Sequence, residues 1–175
     1  MLTVEQQIEE IQKAIKKHIR EKLVFEPQVW KPLRETRNCF TYALNIKSGI
    51  IEKELVGVFG KLVGLHPKNN IYLNEIYAIL FDTLKVCGIS FRKSYFEERV
   101  PYGWHKVAIY LSTEDIHWLR QDDDGSWSHK LGWYALPTNL DENGMPIINP
   151  SRAKLNVSGD LIDIKYLLIS RNLPE

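Results

Sequence analysis

The chain has 175 residues, is 44% apolar by composition and carries a formal net charge of +1. That is enough to bury a sizeable core in one domain without disulfide staples. Acids and bases are nearly balanced, so nothing in the bulk charge directs the chain to a nucleic acid or a membrane surface. Met1 to Gln7 has neither a basic start nor an apolar run, which does not fit a signal peptide. No segment approaches the roughly 18 apolar residues of a membrane helix. A cytoplasmic setting is therefore expected, with Cys39 and Cys87 reduced.

In chain order, Ile8, Ile11, Ile15, Ile19 and Leu23 recur at spacings of three and four, predicting an amphipathic helix over 3–23 with Thr3 and Gln6 as its capping box. Pro27 and Pro32 make Phe25 to Arg37 an expected extended connection. Asn38 offers an N-cap to a short helix whose first turn holds Cys39. Gly49 supplies that helix's stop. Helices are predicted over 51–64 and 72–86, the second with Leu73, Ile76, Leu80 and Leu84 on one stripe and Gly88 as its end.

Beyond Gly88 the period changes to that of strands: Ile89 to Phe96, Lys106 to Leu111, Ile116 to Gln121, Ser126 to Lys130, and a final strand in which Ile162, Ile164, Tyr166 and Leu168 alternate. Asp122-Asp123-Asp124-Gly125 is a hairpin turn. A loop of Asp123-Asp124-Gly125 would put Leu119 opposite His129, with His117 and His129 diagonal on one face; a four-residue loop would put them on opposite faces. Helices first and a meander-like sheet second make the fold class α+β, with N-terminal helices packed on a C-terminal antiparallel sheet. Residues 1–175 are expected to form a single domain, divided into an N-terminal amphipathic helix over 1–24 and a core over 30–170.

A thiol at a helix N-terminus sits in the positive end of the helix dipole, which favours thiolate. Cys39 has that position, whereas Cys87 closes an apolar helix and is expected to fill core. A thiolate nucleophile needs an imidazole base and a polar group to orient it. His105, His117 and His129 fall in the predicted sheet and are the candidate bases; His18 and His66 are assigned solvated or capping roles. Trp104, Trp118 and Trp127 crowd the same strands and either fill core or wall a cleft. Three aspartates in the hairpin turn lack the remaining ligands of a calcium loop, and no metal or cofactor is assigned.

Asn38-Cys39-Phe40-Thr41-Tyr42-Ala43-Leu44 and His105-Lys106-Val107-Ala108-Ile109-Tyr110 together resemble the papain-like hydrolases, especially the bacterial NlpC-like peptidases and CHAP amidases. In those families a cysteine heads a helix, a histidine opens a strand, and a polar residue on the next strand orients it. The run from Asp115 to Lys130 also resembles segments of uncharacterised bacterial and phage proteins. The family likeness implies a papain-like core and a thiol hydrolase, a peptidase or amidase acting on a peptide or protein substrate. Cys39 would be the nucleophile, His105, His117 or His129 the base, and Gln121 or His117 the orienter. The Cys39 backbone N–H and the side chains of Asn38 or Gln28 would receive the oxyanion. Phe40 departs from the small residue usual after the nucleophile. Two other functions remain open: a non-catalytic binding module using the aromatic and histidine-rich sheet, and a metal site built on the three sheet histidines.

Overall fold

The computed structural model describes residues 3–18, 20–48 and 71–171. The N-terminal helix α1 spans Val4–His18. Its start is the expected reciprocal cap: Gln6 N–H donates to Thr3 Oγ1 and Thr3 N–H donates to Gln6 Oε1. Ile11, Ala14 and Ile15 form its buried stripe. The helix stops well before residue 23. Leu23 instead joins the hairpin tip, where its N–H donates to Asp123 Oδ2 and its carbonyl accepts from Asp123 N–H at 2.8 Å.

The stretch expected to be extended is in fact two short helices, α2 at Pro27–Trp30 and a 3₁₀ turn at Lys31–Leu33. Each carries proline in its first turn, where the missing N–H would have had no partner and the fixed φ suits a helix. The prolines thus start helical turns here. Helix α3, Cys39–Ala43, is capped by Asn38: Thr41 N–H donates to Asn38 Oδ1 at 3.1 Å and Asn38 N–H donates to Thr41 Oγ1 at 2.8 Å. Helix α4, Ile71–Val86, buries Ile76, Tyr77, Leu80 and Leu84 and ends at Gly88, whose φ of +72° is the left-handed conformation glycine adopts freely. The expected helix over 51–64 and the stop at Gly49 lie outside the described residues.

Six antiparallel strands follow: β1 Phe91–Ser94, β2 Trp104–Ser112, β3 Ile116–Gln121, β4 Trp127–Lys130, β5 Pro137–Thr138 and β6 Leu161–Ser170. The fold is α+β. The sheet order is β1-β6-β2-β3-β4-β5, so it is not a meander: the last strand inserts between β1 and β2.

Both faces of the sheet are covered. Val107, Ile109, Leu111, Trp118, Leu167 and Ile169 meet the buried faces of α1, α3 and α4. Ala108, Tyr110, Leu119, Trp127 and Tyr166 point the other way, under a coat of loop residues that includes Ile147 and Leu155. Each large aliphatic side chain buried this way contributes about 1.5–3 kcal/mol. This two-sided cover explains why eight consecutive residues of β2, His105 to Ser112, are buried and show no polar alternation. Among the described residues no helix is long and apolar enough to cross a membrane.

Candidate functional site

Strand parity assigns each candidate residue a face. His105 precedes Val107 by two and therefore faces the helices; His117 precedes Leu119 by two and faces the loops, as does His129 opposite Leu119. The hairpin loop is Asp123-Asp124-Gly125, closed by Asp122 N–H to Ser126 O and Gly125 N–H to Asp122 O, with Gly125 at φ +88°. This register brings His117 and His129 together. Their rings meet edge to face with centroids 5.0 Å apart, and a 2.8 Å hydrogen bond joins His117 Nε2 to His129 Nδ1. Burial depresses the pKa of both, to about 4 for His129 and well below the usual range for His117, so both are neutral. His129 Nε2 is left without a well-formed partner; burial outweighs the nearby Leu140 backbone, which works in the other direction.

Cys39 stands on the opposite side of the sheet from that pair, packed against the helix-side core. Burial pushes its thiol up to about 11 even though the residue as a whole keeps intermediate exposure. The backbone N–H of Trp118 works against that shift and Asp115 adds to it. Trp118 is in register with Ile109, and His105 lies four residues before Ile109. At about 3.4 Å per residue, His105 is therefore about 14 Å along the strand from the level of the thiol. The cationic neighbour of Cys39 is Lys130, which is fully buried. Its Nζ donates to the carbonyls of Arg34, Gly132 and Trp133, and burial draws its pKa down to about 8.

The remaining nominated residues have structural surroundings. The Asn38 amide oxygen is occupied by the α3 cap, Gln28 is exposed on α2, and Gln121 donates to Gly125 O within its own hairpin. Trp118 packs edge-on against Phe40, and Trp127 packs against Tyr166 on the other face, so both fill core and neither walls a cleft. His18, expected in a solvated or capping role, is buried, with its ring nitrogens bonded to Glu21 and Ser48. Cys87 is 1% exposed and belongs to the core, as expected. His66 lies outside the described residues. Among the described residues, no three or more His, Cys, Asp or Glu side chains stand together as a metal site would require.

A buried polar network fixes α3 to the sheet. Arg120 donates from Nε to Asp122 Oδ1, from Nη1 to Asn45 Oδ1 and from Nη2 to Val24 O, with its guanidinium 4.1 Å from the centre of the Tyr42 ring. Ser128 Oγ donates to Asp122 Oδ2 at 2.6 Å, so its remaining role toward Tyr42 OH, 2.7 Å away, is acceptor. Lys106 is satisfied in the same manner by the carbonyls of Tyr95, Phe96 and Glu98. These cations hold the scaffold.

His105 differs. It is 2% exposed, yet neither ring nitrogen has a well-formed hydrogen bond among the described residues. The Ala43 backbone lies close enough to favour the charged ring, but in poor geometry for a bond, and burial together with Arg171 and Arg120 draws the pKa down to about 3. His105 lines a cleft of about 1010 Å³ at the end of the sheet where β2 begins and β3 and β6 finish. Trp104, Tyr102, Arg99, Asp123 and Arg171 share that cleft. Arg171 donates to both carboxylate oxygens of Asp123, leaving its buried Nε unpartnered. The sequence nominated His105 and Trp104 here, but not Arg171 or Asp123. The one signal for Arg171 was a charge just beyond the apolar run Leu167-Leu168-Ile169, and Asp123 was read only as part of the hairpin turn.

Insoluble matrix shell protein 1 of Ruditapes philippinarum is 31% identical to the chain over 144 residues, a span that covers 79% of this chain and 85% of that protein. No family model and no solved structure matches.

Proposed function

The chain belongs to the family of insoluble matrix shell protein 1, and from that premise we propose that it is a non-catalytic binding domain whose ligand site is the cleft at the end of the sheet. The observation that carries this is His105. Leaving a buried polar group unbonded costs about 1–3 kcal/mol, and here one imidazole, with only the poorly aligned Ala43 backbone beside it, bears such a cost at the wall of a cleft large enough for a ligand. The buried cations of the sheet, Arg120, Lys106 and Lys130, are all bonded. A matrix relative is consistent with a role in holding rather than turning over its ligand. The test is a set of ¹⁵N–¹H titrations with sugars, sugar acids and polyamines. Binding should move the signals of residues 99–106, 121–125 and 171 and be unchanged in Cys39→Ala; signals that move only around Cys39 would sink the reading.

A second reading keeps Cys39 as the nucleophile of a thiol hydrolase with a papain-like, NlpC-like arrangement. The observation in its favour is that Cys39 is the first residue of a capped helix, with the Trp118 N–H directed at its sulfur. It requires a base that reaches the thiol, and the raised thiol pKa weighs against it.

A further inference from the structure

The acids and bases that line the cleft are equal in number, but they are not equally occupied. Three of the five acids are neutralised by ion pairs: Asp123 by Arg171, Glu98 by Arg92 and Asp122 by Arg120. Two of those partners, Arg92 and Arg120, stand outside the lining, so the pairing removes acid charge from the cleft faster than basic charge. What is left without an ion pair among the described residues is Arg20, Lys22, Arg99 and Lys106 against Glu97 and Asp124. Glu97 lies near enough to Lys106 to favour its charge, and Asp124 accepts from the N–H and hydroxyl of Ser126. Arg20, Lys22 and Arg99 are exposed at the rim. Among the buried polar atoms of the lining residues, those without a partner are the two His105 nitrogens and Arg171 Nε, all closed off from solvent behind the cleft wall. Arg171 Nε is a donor only, and a neutral imidazole always has one N–H to give.

We propose that the cleft is a site for the acidic group of an organic ligand, its oxyanion drawn in by Arg20, Lys22 and Arg99 and held, once the His105 and Arg171 side chains turn toward it, by the His105 N–H and the Arg171 Nε–H. Exposed cations steer an anion and the buried donors of the wall fix it, and charge-assisted bonds to a carboxylate or sulfate are stronger than neutral ones. The second His105 nitrogen is an acceptor, which suits a ligand hydroxyl beside the acidic group. A cleft of about 1010 Å³ is far larger than one oxyanion, which is why the anion is placed on an organic body.

The inference rests on the cleft being the binding site, and its test separates the two ideas. Glucuronate, glucose, spermidine and inorganic sulfate are titrated into the ¹⁵N-labelled chain. Glucuronate should move the signals of residues 99–105 and 171, and sulfate should displace it. Glucose and spermidine should leave those signals in place. The rim variant Arg20→Glu/Arg99→Glu should weaken glucuronate at least tenfold with an unchanged melt. His105→Phe should weaken it by a similar factor while melting no lower than the parent, because it removes an unbonded polar group. Equal shifts with glucose or spermidine would overturn the anion assignment while leaving the binding site intact. No cleft shift with any probe would overturn both. Unchanged glucuronate affinity in the rim variant, or in a folded His105→Phe, would overturn the assigned contacts.

Discussion

His117 Nε2 and His129 Nδ1 lie 2.8 Å apart on the loop-covered face of the sheet, bonded to each other with the whole sheet between them and Cys39. Two of the three sheet histidines are thereby committed to joining β3 to β4. That pairing has a consequence in acid.

An unfolded imidazole takes up its proton as pH falls through about 6.5. In the folded chain burial holds His129 down to about 4, His117 well below its usual range and His105 to about 3. Below pH 6.5 the unfolded state binds more protons, so the stability present in full above that value is lost as pH falls toward the folded values. His129 alone accounts for about 2 kcal/mol by pH 5. The urea midpoint should fall between pH 7 and pH 5, and a His117→Phe/His129→Leu variant should fall less steeply. A midpoint that does not move over that range would show that these rings are not buried as neutral groups.

Asp122 neutralises Arg120, and both side chains are about 1% exposed. Removing one partner strands a buried charge, so Asp122→Ala should cost about 3–5 kcal/mol in urea unfolding. Arg120→Met/Asp122→Leu should cost much less than the sum of its single changes. Additive costs would mean the two charges do not depend on each other.

Gly159 has φ +82°, and a Cβ there would run into Thr113 Oγ1 and the backbone N of Glu114. Gly125 shares the positive φ but has open space around it. Gly159→Ala should therefore lower the melting temperature more than Gly125→Ala, since strain at φ alone costs about 1–3 kcal/mol and the clash adds to it. Equal losses would place the whole effect in the backbone angle.

Local chemistry was legible in the sequence: the Thr3 and Gln6 cap, the Asn38 cap that puts Cys39 at a helix start, the Gly88 stop and the hairpin ending at Gly125. These depend on neighbours within a few residues. The position of β6 was not legible: its own alternation marks a strand but not its neighbours, and β2, buried on both faces, shows no alternation to say which strand covers its edge. Parity could say that His117 and Leu119 share a face, but not that this face meets loops while Cys39 packs under the other. Pro27 and Pro32 misled in a different way. Proline excludes a helix interior but suits its first turn, and only the contacts of Trp30, 1% exposed and edge-on to Tyr42, show which applies.

The choice between a ligand-holding domain and a thiol hydrolase turns on one titration, the rate of iodoacetamide labelling of Cys39 as a function of pH, followed on its peptide by mass spectrometry. Burial holds the thiol at about 11, so labelling should be slow at neutral pH, comparable with that of Cys87, and should inflect above the ordinary thiol value of about 8.5. His105→Ala, His117→Ala and His129→Ala should leave that profile in place. An inflection below about 7 that disappears in one of the three variants would establish a thiolate-imidazolium pair and contradict the non-catalytic reading.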